Sequence, residues 1–353
     1  MRPSGWRVAD PRRALEEIWT ARSRRARLLR ALLTPAELIY RGVVTARGKL
    51  YDWGIVSAED FSIPVLSVGN LTVGGTGKTP VAAWLARLLI EKRVTPAIVL
   101  RGYGGDETIV HQRLNQGIRV IAAPDRARGI REAIASGVGA VVLDDAFQHR
   151  RASRDADVVL INADAWTGTP RLLPAGPWRE PLRSARRATL IIVTRKIADR
   201  ATVEDVRRAL ANVAPQVPLT TVHLAPANLT STSTGQTLPL HALQGADLTA
   251  IAAIAHPDAF FKQLTELGAI VRPISFPDHH AFTTHEARSL AHRASDSDFV
   301  VCTLKDAVKL ESLWPAEAGS LWYVSQRLRI EDGQENIDRL IEDLLASTRK
   351  PDP

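Results

Sequence analysis

The stretch VGNLTVGGTGKTP at residues 68–80 constrains this 353-residue chain more than any other. Upstream, Ile63-Pro64-Val65-Leu66-Ser67-Val68 is a short apolar run of β character. Downstream, Val81 to Leu89 repeats its apolar residues at helical spacing. The glycines therefore sit between a strand and a helix, the setting of a phosphate-binding loop. Gly74, Gly75 and Gly77, with Thr76 between them, let backbone N–H groups turn toward phosphate oxygens, and the helix N-terminus adds its positive dipole end. Lys78 then reaches the β- and γ-phosphates, and the Thr79 hydroxyl is placed for Mg²⁺. Thr72 stands where the strict G-x-x-x-x-G-K-[ST] pattern has glycine. A turn that only reverses the chain has no need of Gly-Lys-Thr at a helix start, so the stretch reads as a nucleotide phosphate site.

After residue 53 the chain alternates strand and helix. The pattern predicts strands at 63–68, 96–101, 118–122, 139–144, 157–162 and 189–194, with helices at 79–93, 125–136 and 203–213. Continuous apolar strands such as Ala140-Val141-Val142-Leu143 suit a parallel sheet covered on both faces. The Thr/Ser-rich stretch at 219–240 reads as a β-hairpin linker, and a second αβ series follows with strands near 249–254, 269–275, 298–303 and 321–325. The expected organisation is a basic segment at 1–52, a P-loop domain at 53–218, the linker at 219–240 and a smaller α/β domain at 241–353. The fold class is α/β: a P-loop NTPase-like parallel sheet with helices on both faces, plus that smaller domain.

The second strong signal is AVVLDDAFQHRR. An apolar strand ending in Asp144 and Asp145, downstream of a P-loop, is the arrangement that supplies hard oxygen ligands to Mg²⁺. Gln148 and His149 follow on the same turn and are candidates to face the site. In LRGYGGDETIV, Asp106 and Glu107 bring carboxylates to the same sheet edge, where Asp106 is a candidate to orient an acceptor hydroxyl; a Gly-Asp turn is the other reading. In FPDHHAFT, adjacent histidines on an irregular segment suit a shared metal poorly, and a histidine orienting a carboxylate fits His279 better. Arg179, Arg183, Arg186 and Arg187 follow the loop LLPAGPWREPL, where guanidinium forks suit phosphate and a solvated charge run is the alternative.

Charge separates the chain into unequal parts. Residues 1–50 hold twelve Lys/Arg against four Asp/Glu, and the remainder is balanced, so the net charge of +8 is an N-terminal feature. Leu15, Ile18, Trp19, Ala26, Leu29 and Leu33 fall near one helical face, with Arg22, Arg24, Arg25, Arg27 and Arg30 around them. Such a helix suits an anionic membrane interface, and a helix docked on its own domain is the alternative. No aromatic stacking platform accompanies the arginines, which argues against nucleic acid. The single cysteine, Cys302, excludes a disulfide framework and a cysteine-based zinc site. No apolar run approaches the length of a membrane span, and the N-terminus does not read as a secretory signal.

Taken in order, SVGNLTVGGTGKTP, RGYGG followed by GDE, DDAFQHRR, LLPAGPWREPL, DHHAF and TLKDAVKL resemble the tetraacyldisaccharide 4'-kinase family, the lipid A 4'-kinases. The resemblance covers about residues 55–325. It implies ATP and Mg²⁺ as cofactors and a lipid A disaccharide 1-phosphate as substrate, phosphorylated at its 4'-hydroxyl at the cytoplasmic face of the inner membrane. It also implies an N-terminal membrane-associated helix that meets anionic lipids. Carried over by position, Lys78 and Thr79 hold nucleotide and metal, Asp144 and Asp145 serve the Mg²⁺, and His149 lies in the pocket. Asp106 with His279 resembles the acid–base pair at the acceptor hydroxyl, and Arg179 resembles a pocket arginine. The chain departs from the family at Ala146, where glycine is usual and alanine is tolerated if φ is negative, and at Thr108, which replaces proline. A membrane-associated P-loop ATPase or GTPase acting as a switch is the rival function. In IIVTRKIAD the spacing of Lys196 and Asp199 does not match a guanine-reading motif.

Overall fold

Six consecutive buried residues, Val65–Asn70, form the first strand (β1) and lead straight into the glycine loop. The computed structural model describes residues 18–19, 21, 23–102 and 105–347. Leu15 and Arg22 of the expected amphipathic face, and Tyr103 of the RGYGG stretch, lie outside the described residues. Ahead of β1 come helices α1 (Arg24–Leu32) and α2 (Thr34–Asp52). After it the chain alternates through α3 (Lys78–Glu91), β2 (Pro96–Leu100), α4 (Asp106–Leu114), β3 (Arg119–Ala122), α5 (Arg126–Ala135) and β4 (Ala140–Asp144). Then follow β5 (Ala156–Asn162), β6 (Leu190–Arg195), α6 (Arg200–Val213), β7 (Leu219–Ser231) and β8 (Thr237–Pro239). The last part holds β9 (Asp247–Ala252), α7 (Pro257–Glu266), β10 (Ile270–Ser275), α8 (Thr284–Arg293), β11 (Phe299–Thr303), α9 (Leu304–Leu310), β12 (Leu321–Asp332) and α10 (Gln334–Ala346).

The chain divides into two compact units. The larger comprises Val43–Gly168, Glu180–Pro226 and the described residues from Gln326 onward. Its strands run in the order β7-β6-β5-β1-β4-β2-β3 and every pair is parallel. β1 lies between β4 and β5, so the order reverses there, and its carboxyl end is the crevice where such sheets bind ligands. β4 is buried at all five positions, as its unbroken apolar run requires of a strand covered on both faces. One core face gathers Leu66, Val68, Leu85, Ile98 and Leu160 with Ile337, Leu340, Ile341 and Leu344 from α10.

The smaller unit comprises the described residues up to Gly42, Thr169–Arg179 and Ala227–Ser325. Here β10, β9, β11 and β12 lie side by side in parallel, and β7 pairs with β8 as an antiparallel hairpin. Its cores centre on Leu248, Ala250, Phe260 and Val301 on one face and on Ile251, Phe282, Leu290 and Cys302 on the other.

This division differs from the one expected at residues 53, 218 and 240. The described residues from Gln326 onward belong to the larger unit, because Ile337, Leu340, Ile341 and Leu344 repeat at i, i+3, i+4 and i+7 and bury against β1 and α3 residues. The 169–179 loop belongs instead with the smaller unit, where the Glu37 carboxylate holds Arg171 and the Leu172 N–H. The N-terminal helices also differ in orientation from expectation. Ala26 is buried and Leu29 and Leu33 are half-buried, so the anticipated lipid-facing stripe packs inward. Leu28, Leu32, Leu38, Ile39, Val43 and Leu50 are the exposed large apolar residues of these two helices, with Ile39 at 72%.

Candidate active site

The glycine loop is built around positive φ angles and close packing. Gly74 has φ +101 and Gly77 has φ +84, a region closed to most side chains. A Cβ on Gly77 would also lie only 2.4 Å from Leu224 Cδ1, so there is no room for one. The carbonyl of Gly75 accepts from Asn162 Nδ2 at 3.3 Å and that of Thr76 from Thr194 Oγ1 at 3.0 Å. Asn70 Nδ2 holds the Thr76 hydroxyl at 3.0 Å. Side chains from β1, β5 and β6 thus tie the loop to the sheet, those from β5 and β6 through its carbonyls. α3 begins at Lys78, with Pro80 in its first turn, where a missing N–H costs nothing.

The acidic turn closes over the same end of the sheet. Asp144 is the last residue of β4, and Thr79 Oγ1 donates to its Oδ2 at 3.2 Å. Asp145 takes φ +52, a left-handed conformation that aspartate adopts more readily than most residues, and its Oδ1 lies 3.6 Å from Lys78 Nζ. Ala146 is absent from the positive-φ residues, so the alanine in place of the family's glycine carries no backbone strain. Its N–H donates to the Val68 carbonyl at 3.3 Å, and Phe147 is fully buried against Gly69. Gln148 Nε2 donates to the Asn70 carbonyl at 2.8 Å, which stitches the acidic turn to the end of β1. Asp144 Oδ1 is buried with no protein hydrogen-bond partner. A buried, unpartnered carboxylate oxygen beside a threonine hydroxyl and a phosphate loop fits Mg²⁺, which takes one or two protein carboxylates and fills its shell with water and phosphate oxygens. Among the described residues no cluster of three or more His, Cys, Asp or Glu forms a cage for a metal.

Two residues without any sequence signal complete this arrangement. His111, on α4, is fully buried with Nε2 at 2.8 Å from Asp144 Oδ2. Arg126, at the start of α5, donates to the carbonyls of Ala123 at 2.8 Å and Asp144 at 3.1 Å. Burial pulls its guanidinium below the usual arginine range, while Asp145 and Asp144 act in the opposite direction. His149 is half-buried, and its pKa is lowered first by that burial and then by Arg126, with Asp145 opposing, so the imidazole is held toward its neutral form. Asp106 and Glu107 open α4 after Gly105 at φ +78, and Glu107 is among the charges felt by Arg126.

The remaining expected residues belong to the smaller unit. His279 has φ +62, is exposed, and has Nε2 at 3.1 Å from Lys305 Nζ and 3.8 Å from Asp278 Oδ2. Lys305 also meets Asp278 Oδ1 at 3.3 Å, which gives the TLKDAVKL stretch a part that its sequence alone did not suggest. His280 instead stacks on Phe276 with ring centroids 4.7 Å apart and pairs with Glu286 at 3.1 Å. Arg179 closes the proline loop, and its carbonyl accepts from the Tyr40 hydroxyl at 3.0 Å. The structure therefore gathers Gly74–Thr79, Asp144, Asp145 and Gln148 at one sheet edge, and it leaves Arg179 and His279 on the other unit.

The comparisons agree with this geometry. The sequence profile of the Tetraacyldisaccharide-1-P 4'-kinase family matches residues 29–116 and 104–346. A tetraacyldisaccharide 4'-kinase from Anaeromyxobacter sp. (strain K) is 36% identical over 92% of this chain and 93% of its own length. Another, from Anaeromyxobacter dehalogenans (strain 2CP-C), is 39% identical over 82% of this chain and 83% of its own. The crystal structure of the Aquifex aeolicus protein LpxK in complex with ATP superposes with a TM-score of 0.70 at 27% identity, covering 90% of this chain and 99% of that one. With phosphate loop, acidic turn and sequence in agreement over most of its length, the chain belongs to the tetraacyldisaccharide 4'-kinase family.

Proposed function

We propose that this chain transfers the γ-phosphate of ATP to the 4'-hydroxyl of a lipid A disaccharide 1-phosphate. The observation that carries the reading is the convergence of Thr79, Lys78, Asp144 and Asp145 at the carboxyl end of β1, in a member of this family. Gly74, Gly75, Thr76 and Gly77 cradle the phosphates, and Lys78 neutralises charge that builds on the transferred group. Thr79, Asp144 and Asp145 would hold Mg²⁺, which would supply positive charge to offset that of the phosphates. Gln148 fixes the end of β1, and a neutral His149 lies on the same turn. The parts of Asp106 and His279 at the acceptor hydroxyl, and of Glu107 and Arg179 as pocket residues, rest on the family resemblance.

The reaction's acceptor is an amphiphile, which suits attachment at the cytoplasmic face of the inner membrane. No helix among the described residues is long and apolar enough to cross a membrane. Exposed Leu28, Leu32, Leu38, Ile39 and Val43, with exposed Arg24, Arg25 and Arg27, support interfacial contact with anionic lipid. Family membership disfavours the rival switch function. The test is phosphate transfer from ATP to a lipid disaccharide 1-phosphate in detergent micelles; ATP turnover indifferent to that lipid would overturn the reading.

A further inference from the structure

We propose that His111 is a positioning residue that decides which oxygen of Asp144 is offered to the metal. The inference rests on the reading of Asp144 as a Mg²⁺ ligand. A carboxylate rotates over a broad, two-fold torsion, so its oxygens exchange unless something distinguishes them. Here two donors converge on one oxygen: His111 Nε2 at 2.8 Å and Thr79 Oγ1 at 3.2 Å both meet Oδ2. The ionised carboxylate is acceptor-only, so Nε2 carries the proton in this contact. Arg126 Nη2 holds the Asp144 carbonyl at 3.1 Å, which fixes the backbone from which the side chain springs. Oδ1 is left buried and without a protein partner. Oδ2 is thereby committed to the protein and Oδ1 is the oxygen left for the metal.

The chemistry of His111 argues against simple packing. Its side chain is 0% exposed, and its Nδ1 is also buried with no hydrogen-bond partner. Burying an unpaired ring nitrogen costs stability that an aliphatic side chain of similar size would not. The histidine is useful where it is for its one satisfied contact, the donor to Asp144. Outer partners of this kind orient metal ligands, and their loss typically weakens metal affinity about 10–100-fold.

The experiment titrates Mg²⁺ into the full-length protein with a fluorescent ATP analogue and reads nucleotide binding by anisotropy. His111→Leu should raise the half-saturating Mg²⁺ concentration about 10-fold or more. Nucleotide affinity at saturating Mg²⁺ should stay unchanged. His111→Gln keeps an N–H donor and should recover most of the Mg²⁺ response. A folded His111→Leu protein with the wild-type Mg²⁺ response overturns the proposal. Equal weakening in His111→Leu and His111→Gln also overturns it, since packing alone would then account for the loss. Asp144→Asn serves as the reference: an unchanged Mg²⁺ response there removes the metal reading itself, whereas a weakened response beside an unaffected His111→Leu removes only the part given to His111.

Discussion

Glu37→Ala should loosen the proline loop by an amount the structure lets one work out. Glu37 is buried on α2, and one carboxylate serves four donors. Arg171 Nε and Nη2 reach Oε2 at 3.0 and 2.8 Å, while the Leu172 N–H and Arg41 Nη2 reach Oε1 at 2.9 and 3.2 Å. Removing the carboxylate leaves the buried Leu172 N–H unpaired, at a cost of about 1–3 kcal/mol. Breaking a buried ion pair costs about 3–5 kcal/mol, but the Arg171 side chain is 28% exposed and can turn partly to water. Arg41, at 44%, is exposed enough that its share is negligible. The expected loss is therefore about 3 kcal/mol, toward the lower end of the ion-pair range.

Denaturant unfolding of wild type, Glu37→Ala, Arg171→Leu and the double variant measures this directly. The pair should couple by more than about 1 kcal/mol, as contacting residues in one network do. Arg179 closes the same loop, and Tyr40, less than one turn beyond Glu37, holds its carbonyl. Glu37→Ala should accordingly raise the KM for lipid more than the KM for ATP. A stability change within about 0.5 kcal/mol, the usual range for an uneventful surface site, would refute the argument.

Lys78→Ala should abolish transfer, because phosphoryl transfer relies on positioning and charge stabilisation; retained turnover with the lipid acceptor would contradict it. Gly69→Ala should destabilise the larger unit in thermal melts, since its Cβ would lie 2.5 Å from Phe147 Cβ and 2.8 Å from the Phe147 backbone nitrogen. For His149, a lowered native pKa means the unfolded chain binds more protons as pH falls below the ordinary value of 6.5, so stability drops on acidification through that window. His149→Asn should lose that component of the pH dependence of unfolding. Replacing Leu38, Ile39 and Val43 together by serine should reduce flotation with anionic vesicles and raise the KM for lipid, with the KM for ATP unaffected.

The phosphate loop and the acidic turn were legible because each is a local pattern with a local physical cause. Gly77 must be glycine at φ +84, and Asp144 must end an apolar strand; both requirements lie within a dozen residues of chain. What escaped the sequence depends on long-range return. α10 looks like the end of a C-terminal domain until Ile337 and Leu344 are seen to bury with Leu66 and Val68 of β1. His111 carries no motif, because a lone histidine in DETIVHQRL gains meaning only from Asp144, 33 positions away. The N-terminal helices show the same limit in another form. Periodicity finds an amphipathic pattern but cannot say which apolar face meets the protein, and a buried glutamate decides it. Glu37 binds Arg171 and the Leu172 N–H, turning its side of α2 inward and leaving Ile39 and Val43 outside. The charged residue, which a hydrophobic pattern counts as outward-facing, is the one that sets the orientation of the helix. The segment is therefore docked through Glu37 and Tyr40 while it carries an exposed apolar face, so truncation at residue 50 would remove those supports of the Arg179 loop along with the face proposed to meet lipid. Separating the two roles requires substitutions confined to the exposed face.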